Sequence, residues 1–448
     1  MNKKNLFQLI LAAGDIILMY LALFLVLAFR YNDFSPLPGP LTRQFFLHFS
    51  VIQLVWLALF FSFDFYEIPA FKKPLVFLKN LAGVAIMAFG VGALYFYLNL
   101  HSLIAPKTIL FFDVLFFSVF AFSWRWFFSK LIGAQRFAKK IAVVGWQPEM
   151  DELVNSYLKL ANYEIACAFS PGAFAGFEKL KIFPNHKDFI RAINEGKIDL
   201  MVLAEPLGVQ NSILQNIISN VALNIKIISL KDFYQEIAQK LPLDLIDEMW
   251  LLENISKNPR NSRLAKRFFD IILSLLGITI TLIIFPLICL AIKLDSRGPV
   301  FYIQERRGRD GKNFLLYKFR TMKSTSDQYD IWRAGDGDQV TKTGKFFKKL
   351  HIDEFPQFFN ILKGDLSFVG PRPEWTKLAG DYEKEIPFYR YRYLVQPGFT
   401  GWAQINYHAS YSAFEAKEKF GYDLYYIKNQ SFLLDIAIIL KTIQLFFR

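Results

Sequence analysis

Four apolar stretches, at about 6–29, 46–65, 80–100 and 108–129, fill the first third of this chain. Each is close to the ~20 residues that cross a bilayer as a helix, so a four-helix transmembrane anchor is expected over residues 1–135. Charge gives the direction of threading. Lys3 and Lys4 precede the first stretch, Lys72, Lys73 and Lys79 lie between the second and third, and Arg125, Lys130, Arg136, Lys139 and Lys140 crowd the end of the fourth. The 30–45 connection carries only Arg30 and Arg43, and the 101–107 connection only Lys107. Positive-inside reasoning therefore puts the N-terminus, residues 66–79 and everything after residue 130 in the cytoplasm. The first stretch is too long for a cleaved signal and lacks a small-residue cleavage site. Asp15 and Asp113 lie near or within these stretches. An intramembrane acid is a functional candidate by default, but a structural pairing is the simpler expectation here.

Composition agrees with a membrane protein: 53% of residues are hydrophobic and 49 are Phe. The formal charge of +13 suits an anionic membrane surface and anionic substrates. No basic stripe with interleaved aromatics on a nucleic-acid module accompanies that charge, so no nucleic-acid partner is expected. The two cysteines, Cys167 and Cys289, give neither a disulfide framework nor zinc-ligand spacing.

From residue 136 to 255 the pattern changes to short β-rich runs alternating with helical ones. Runs at 141–145, 163–169, 200–203 and 225–228 read as strands, and helices are expected near 148–160, 186–195, 207–220 and 231–239. This alternation predicts a cytoplasmic α/β domain with a parallel, doubly wound sheet. A dinucleotide site would need a glycine-rich turn after the first strand. Here Gly145 is followed by Trp146, Gln147, Pro148 and Glu149, so the module reads as structural or regulatory. The same turn weighs against a nucleotide-sugar dehydratase or epimerase, as does the lack of any tyrosine followed four residues later by lysine.

A fifth apolar run, Ile271 to Ile292, is long enough to span. Arg263, Lys266 and Arg267 precede it, and Lys293, Arg297, Arg306, Arg307 and Arg309 follow. Both flanks are basic, so both ends belong on the cytoplasmic side. Pro286 removes a helical hydrogen bond inside the run and invites a break, which predicts a re-entrant helix over about 268–292.

The chemistry-bearing segment is Lys349 to Asp365, running on to Gly370-Pro371-Arg372-Pro373. Phe355, Phe358, Phe359 and Leu362 have the spacing of one buried helical face. Pro356 belongs in a first turn, so a helix is expected from near Asp353 to Gly364. Asp353 and Glu354 would then sit at its positive end, a place for a nucleophile or metal ligand that handles phosphate. Upstream are Gln304-Glu305-Arg306-Arg307-Gly308 and Tyr317-Lys318-Phe319-Arg320-Thr321-Met322; downstream is Pro397-Gly398-Phe399-Thr400-Gly401-Trp402-Ala403-Gln404. In this order the motifs closely resemble the catalytic domain of the bacterial sugar transferases, the monotopic polyprenyl-phosphate phosphoglycosyl transferases, over about residues 260–448.

The resemblance implies a membrane protein of α plus α/β class: the anchor, a Rossmann-like cytoplasmic domain, and a mainly helical monotopic catalytic domain at 256–448 hung on the re-entrant helix. It implies transfer of a sugar 1-phosphate from a UDP-sugar to undecaprenyl phosphate with release of UMP, at the cytoplasmic face of the bacterial inner membrane. Asp353 matches the family's nucleophile and Glu354 its second carboxylate, the two holding Mg²⁺. Arg372 is the first phosphate ligand, followed by Lys318, Arg320, Lys348 and Gln404. Asp423 and Tyr426 match a family segment with a structural role, and large-format relatives imply a homodimer. Three departures stand out: Lys348 and Gln396 where relatives carry arginine, and Phe285 where many have serine before the proline. The competing reading is a membrane scaffold that retains an inactive transferase domain. His351 and His408 are expected to have no catalytic part.

Overall fold

A computed structural model of the chain describes residues 3–31, 40–63, 65–66, 74–98, 107–131, 139–158, 163–170, 181–196, 198–204, 215, 219, 225–255, 260–323, 340–407 and 412–446. The chain divides into two compact units at 229/230.

In the first unit, α1 (Lys3–Tyr31), α2 (Pro40–Ser62), α3 (Pro74–Leu98) and α4 (Lys107–Leu131) cover the four apolar stretches. All four are long and apolar enough to cross a membrane. Lys72, Lys73 and Arg136, which weigh in the argument on sidedness, lie outside the described residues. Aromatic side chains fill the bundle: Trp56 of α2 meets Phe117 of α4 edge to face with ring centroids 4.8 Å apart. The intramembrane acid Asp15 is paired. Arg125 of α4 donates Nη1 to its Oδ1 at 2.6 Å and Nη2 to its Oδ2 at 2.7 Å, and both side chains are fully buried. The same guanidinium lies 4.5 Å from the Phe60 ring centroid. Asp113 is also buried, and its Oδ1 has no hydrogen-bond partner among the described residues.

The sheet follows as β1 (Lys139–Val144), α5 (Pro148–Glu152), β2 (Tyr163–Phe169), β3 (Ile182–Phe183), α6 (His186–Glu195), β4 (Leu200–Leu203) and β5 (Lys226–Ser229). Its strands are all parallel, in the order β3-β2-β1-β4-β5. Central β1 buries Ile141, Ala142, Val143 and Val144 together, as a strand covered on both faces does. The two-residue β3 is too short to have shown a period, and the helix expected at 207–220 lies almost wholly outside the described residues. Gly145 has φ +80°, and a Cβ there would stand 2.2 Å from the Ala204 carbonyl oxygen. Packing at the end of β4 therefore demands this glycine. Trp146 beside it is buried and donates to Asp151 at 2.8 Å.

The second unit runs through α7 (Leu230–Ala238), α8 (Glu248–Ile255), α9 (Arg260–Asp295), β6 (Phe301–Arg307), β7 (Asn313–Phe319) and α10 (Lys342–Lys349). It continues with α11 (Gln357–Lys363), β8 (Ser367–Val369), α12 (Thr376–Glu385), β9 (Gly398–Thr400), α13 (Trp402–Asn406), α14 (Ala413–Asn429) and α15 (Phe432–Phe446). β6 and β7 form an antiparallel hairpin, and β8 pairs β9 in parallel. Leu241, Ile246, Leu251 and Ile255, grouped with the α/β module on sequence, share one core with Tyr382, Tyr389, Phe420 and Tyr426.

α9 carries the fifth apolar run and continues through Pro286 to Asp295 as one helix. Leu264, Phe268, Ile272, Leu276, Ile283, Leu287 and Leu294 are exposed, whereas Asp270, Ser274 and Thr281 are buried together with Ile278, Ile288 and Ile292. The face packed on protein is thus mixed in polarity while a wide apolar stripe faces out, as expected where the surrounding solvent is lipid. Phe285, at the serine position of relatives, stacks on Phe301 and Phe319 at centroid distances of 5.9 and 6.1 Å. Replacing Arg125 in the first unit should strand Asp15 among apolar side chains. Arg125→Leu is expected to cost about 3–5 kcal/mol, read as a lowered unfolding temperature in detergent, and the double Leu variant at 15 and 125 should recover most of it.

Candidate active site

Asp353 and Glu354 lie on a separate 3₁₀ turn, Ile352–Glu354, between α10 and α11. His351 enters it at φ 53°, a left-handed conformation that histidine tolerates better than branched residues. The helix expected from Asp353 begins only at Gln357. Pro356 has no N–H to carry the helical ladder back across the dyad, so the turn and the helix stay distinct. Gly364 ends α11 in the left-handed region, as expected.

The apolar stripe is only part of the buried face of this segment: Phe355 and Phe358 pack half-buried against hydrophobic cores. Gln357, Asn360 and Ile361 are buried, and Phe359 is 48% exposed. Asn360 fastens α11 to β7, accepting from Tyr317 N at 3.1 Å and donating to Leu315 O at 2.7 Å. Phe358 lies against α9, where a Cβ on Gly277 would stand 2.7 Å from its ring. Helical spacing of phenylalanines reports apolar surroundings without distinguishing protein from lipid.

Both carboxylates of the dyad are buried. Glu354 Oε1 accepts from Lys318 Nζ of β7 at 2.8 Å and from Arg372 Nη2 at 2.6 Å, with Arg372 Nη1 3.5 Å from Oε2. Burial opposes ionisation of Glu354, but Arg372 and Lys318 outweigh it and hold the carboxyl well below the usual carboxylate range. Asp353 is driven the other way: burial pushes it up, Glu354 adds to the rise, and Lys318 offsets only part. Among the described residues Asp353 has no hydrogen bond or ion pair through its carboxylate.

Arg372 is fixed from behind. Its carbonyl accepts from Arg392 Nη2 at 2.9 Å, and Arg392 is buried against Asp423 at 2.8 Å and Tyr389 at 2.7 Å. Glu374 joins through Arg392 at 3.5 Å and Lys419 at 2.9 Å. The far end of α11 is fixed by α9: Arg267 donates its two Nη atoms to the carbonyls of Ile361 and Leu362 at 2.6 and 2.7 Å. Lys266 reaches Asp435 at 2.7 Å and Val369 O at 2.9 Å, and Asp270 accepts from Phe368 N at 3.0 Å. Gln396 donates to the Gly364 carbonyl, so this departure from arginine has a partner in the same helix end.

Of the sequence candidates, Asp353, Glu354, Lys318 and Arg372 converge. Arg320 instead spends its fork on the carbonyls of Arg297 and Ser296, at 2.5 and 2.8 Å. Lys348 is half-buried in the last turn of α10. Gln404 donates weakly to Phe399 O at 3.3 Å and keeps a buried Oε1 with no hydrogen-bond partner among the described residues. Pro286 lies inside α9. Trp402 is core, donating to Gln239 O at 2.8 Å, and Tyr426 is a buried link to Asp435 at 2.7 Å. His351 is exposed, and His408 lies outside the described residues. Arg306 and Arg267 lie in segments singled out on sequence without a site role there, and Arg392 lies outside those segments. A buried arginine in an aromatic run, Tyr389 to Tyr393, is the one available signal for Arg392.

A Mg²⁺ at this site has limited protein oxygen to draw on. No group of three metal-ligating side chains occurs among the described residues. Glu354 is already taken up by two cations, which leaves Asp353. One carboxylate together with substrate phosphates is an ordinary set for this ion.

Comparison with known proteins places these residues. The sequence profile described as Bacterial sugar transferase matches residues 261–448. The sugar transferase EpsL of Bacillus subtilis (strain 168), described as uncharacterized, is 43% identical over 185 residues, which are 40% of this chain and 86% of EpsL. The chain belongs to the bacterial sugar transferase family. Two longer members are the UDP-N-acetylgalactosamine-undecaprenyl-phosphate N-acetylgalactosaminephosphotransferase of Aeromonas hydrophila and the UDP-glucose:undecaprenyl-phosphate glucose-1-phosphate transferase of Escherichia coli (strain K12). The first is 44% identical over 180 residues and the second 42% over 188, or 40% and 41% of this chain. The match spans only 43% and 40% of those two relatives' own lengths.

The network behind Arg372 makes acid stability testable. Burial raises Glu374, but Lys419 and Arg392 outweigh it and bring it down to about 2. Its ion pairs then contribute on the order of 3 kcal/mol at neutral pH. A depressed carboxylate gives stability that is complete above its unfolded value and lost as pH falls towards 2. Glu374→Gln should be less stable at pH 7 and show a shallower loss between about pH 5 and 2, followed by thermal unfolding.

Proposed function

We propose that this protein transfers a sugar 1-phosphate from a UDP-sugar to undecaprenyl phosphate, releasing UMP and starting a membrane glycan such as an exopolysaccharide, capsule or O-antigen. The observation that carries the reading is the asymmetric dyad, one carboxylate clamped by two cations and its neighbour buried with no hydrogen bond or ion pair among the described residues. The two longer relatives are named for this type of reaction. In the first step Asp353 attacks the phosphorus that bears the sugar. A P–O bond forms to its carboxylate, the bond to the nucleotide phosphate breaks, and UMP leaves with that oxygen's electron pair. In the second, an oxygen of the lipid phosphate attacks the same phosphorus and Asp353 leaves as carboxylate. No general base is needed, because the acceptor is already an anion.

Lys318 and Arg372 keep Glu354 ionised and hold the turn that aims Asp353. Arg372, one-third exposed, also offers charge to a bound phosphate. Mg²⁺ on Asp353 and the substrate phosphates would supply further charge neutralisation. The catalytic unit would sit at the cytoplasmic face of the inner membrane with α9 re-entrant. In support, Lys266 and Arg267 at one end of α9 and Asp295 at the other all bond to this unit. A homodimer and a Rossmann-like, non-catalytic α/β module complete the reading.

UMP release by the detergent-solubilised protein with Mg²⁺, undecaprenyl phosphate and a panel of UDP-sugars should appear with one donor. It should fall by roughly 10³-fold or more in Asp353→Asn. A scaffold would release none and keep its cellular role in that variant. Because Asp353 must be ionised and its pKa is raised, the rate should fall with decreasing pH at a point above the ~3.9 of an ordinary aspartate. Lys318→Met should move that limb to higher pH, since Lys318 now lowers the Asp353 pKa.

A further inference from the structure

Around the dyad the charges do not balance. Arg306, Lys318, Arg372, Arg392 and Lys419 face Asp353, Glu354, Glu374 and Asp423, one cation more than carboxylates. Four of the cations are spent: Lys318 and Arg372 on Glu354, Arg392 on Asp423 and Glu374, Lys419 on Glu374. Arg306 alone of the five has no ion pair among the described residues.

Its position is nevertheless built. Arg306 is near the end of β6, where a β-bridge joins it to Trp375 and Arg307 N donates to Glu374 O at 3.0 Å. The strand is thus pinned to the turn that carries Arg372. One donor of the guanidinium, Nη1, goes to the Pro373 carbonyl at 3.0 Å, which orients the plane. Nε is buried and has no hydrogen-bond partner among the described residues. Leaving a buried N–H unmade costs about 1–3 kcal/mol, so a cation held this way is preorganised for an acceptor that arrives later.

We propose that Arg306 is a ligand for a phosphate group of the substrates, its guanidinium receiving the phosphoryl oxygens that Lys318 and Arg372, committed to Glu354, cannot fully serve. This deepens the transferase reading and rests on it for the substrate class. A planar fork suits such oxygens because it offers parallel donors, which lysine does not. The phosphate has two possible sources, the nucleotide donor and the lipid acceptor, and the two half-reactions separate them.

The test uses the full chain in detergent with Arg306→Gln and Arg306→Lys. Inorganic pyrophosphate and UMP are titrated by thermal shift, and UMP formation without acceptor is measured apart from transfer to undecaprenyl phosphate. Pyrophosphate should stabilise the wild type, and its affinity should fall about 10–100-fold in both variants, the scale of a lost charge-assisted hydrogen bond. A matching fall in acceptor-free UMP formation assigns the donor phosphate, and a fall confined to the transfer step assigns the lipid phosphate. Should the Gln variant unfold, the Lys variant decides, since it keeps the charge and loses the fork. Unchanged pyrophosphate affinity and unchanged half-reactions in a folded variant would overturn the proposal, as would a wild type that pyrophosphate does not stabilise. An Arg306-dependent pyrophosphate shift without UMP release from any UDP-sugar would keep the anion site and sink the transferase reading instead.

Discussion

The second unit is organised around a buried carboxylate that could not remain there alone. Glu354, 6% exposed, carries a desolvation cost of several kcal/mol as an ion. Lys318 and Arg372 offset it from two separate segments, the β6–β7 hairpin and the turn after β8. Each cation therefore also fixes the backbone that delivers it, and three pieces distant in sequence are locked at one point. The adjacent Asp353 receives the opposite treatment. Two adjacent carboxyl groups are thus driven in opposite directions, one held firmly as an ion and the other pushed towards its protonated form.

That point is secured to α9 through the far end of α11. The Arg267 fork on the last carbonyls of α11 and the contact of Phe358 with Gly277 set both the axial position and the rotation of the short helix. Lys266 and Asp270 hold β8, which leads into the Arg372 turn. One helix thus governs both arms of the site. Its attachment face combines polar residues, Asp270 and Ser274, with Ile278, Ile288 and Ile292, while its leucines face outward.

Periodicity and charge were enough for the large elements. The apolar stretches became α1 to α4, and the alternating runs became a parallel sheet with the expected strands. Motif resemblance reached the dyad, Lys318 and Arg372. Arg320 is placed on the carbonyls that follow α9, because a basic residue in a motif can cap a helix end as readily as bind phosphate. The phenylalanine stripe packs on protein at Phe355 and Phe358 but not at the exposed Phe359, since phenylalanine marks lipid and protein interior alike, while Asn360 is buried by bonds to strand backbone that no period encodes. Arg306 and Arg392 depend on contacts across about 65 and 30 residues of chain, between segments whose apposition only the fold supplies.

The core shared by Leu241, Ile246, Leu251 and Ile255 with α12 and α14 begins upstream of the family match at residue 261. Lys240 is tied to Glu418 at 2.5 Å, and Leu241 N to Gly421 O at 3.0 Å, in the same region. The boundary of shared ancestry and the boundary of packing therefore differ by about thirty residues. A chimera that exchanges donor specificity between relatives by joining them at residue 260 would cut through an interior, whereas a junction near residue 229 would carry the module across with its own covering.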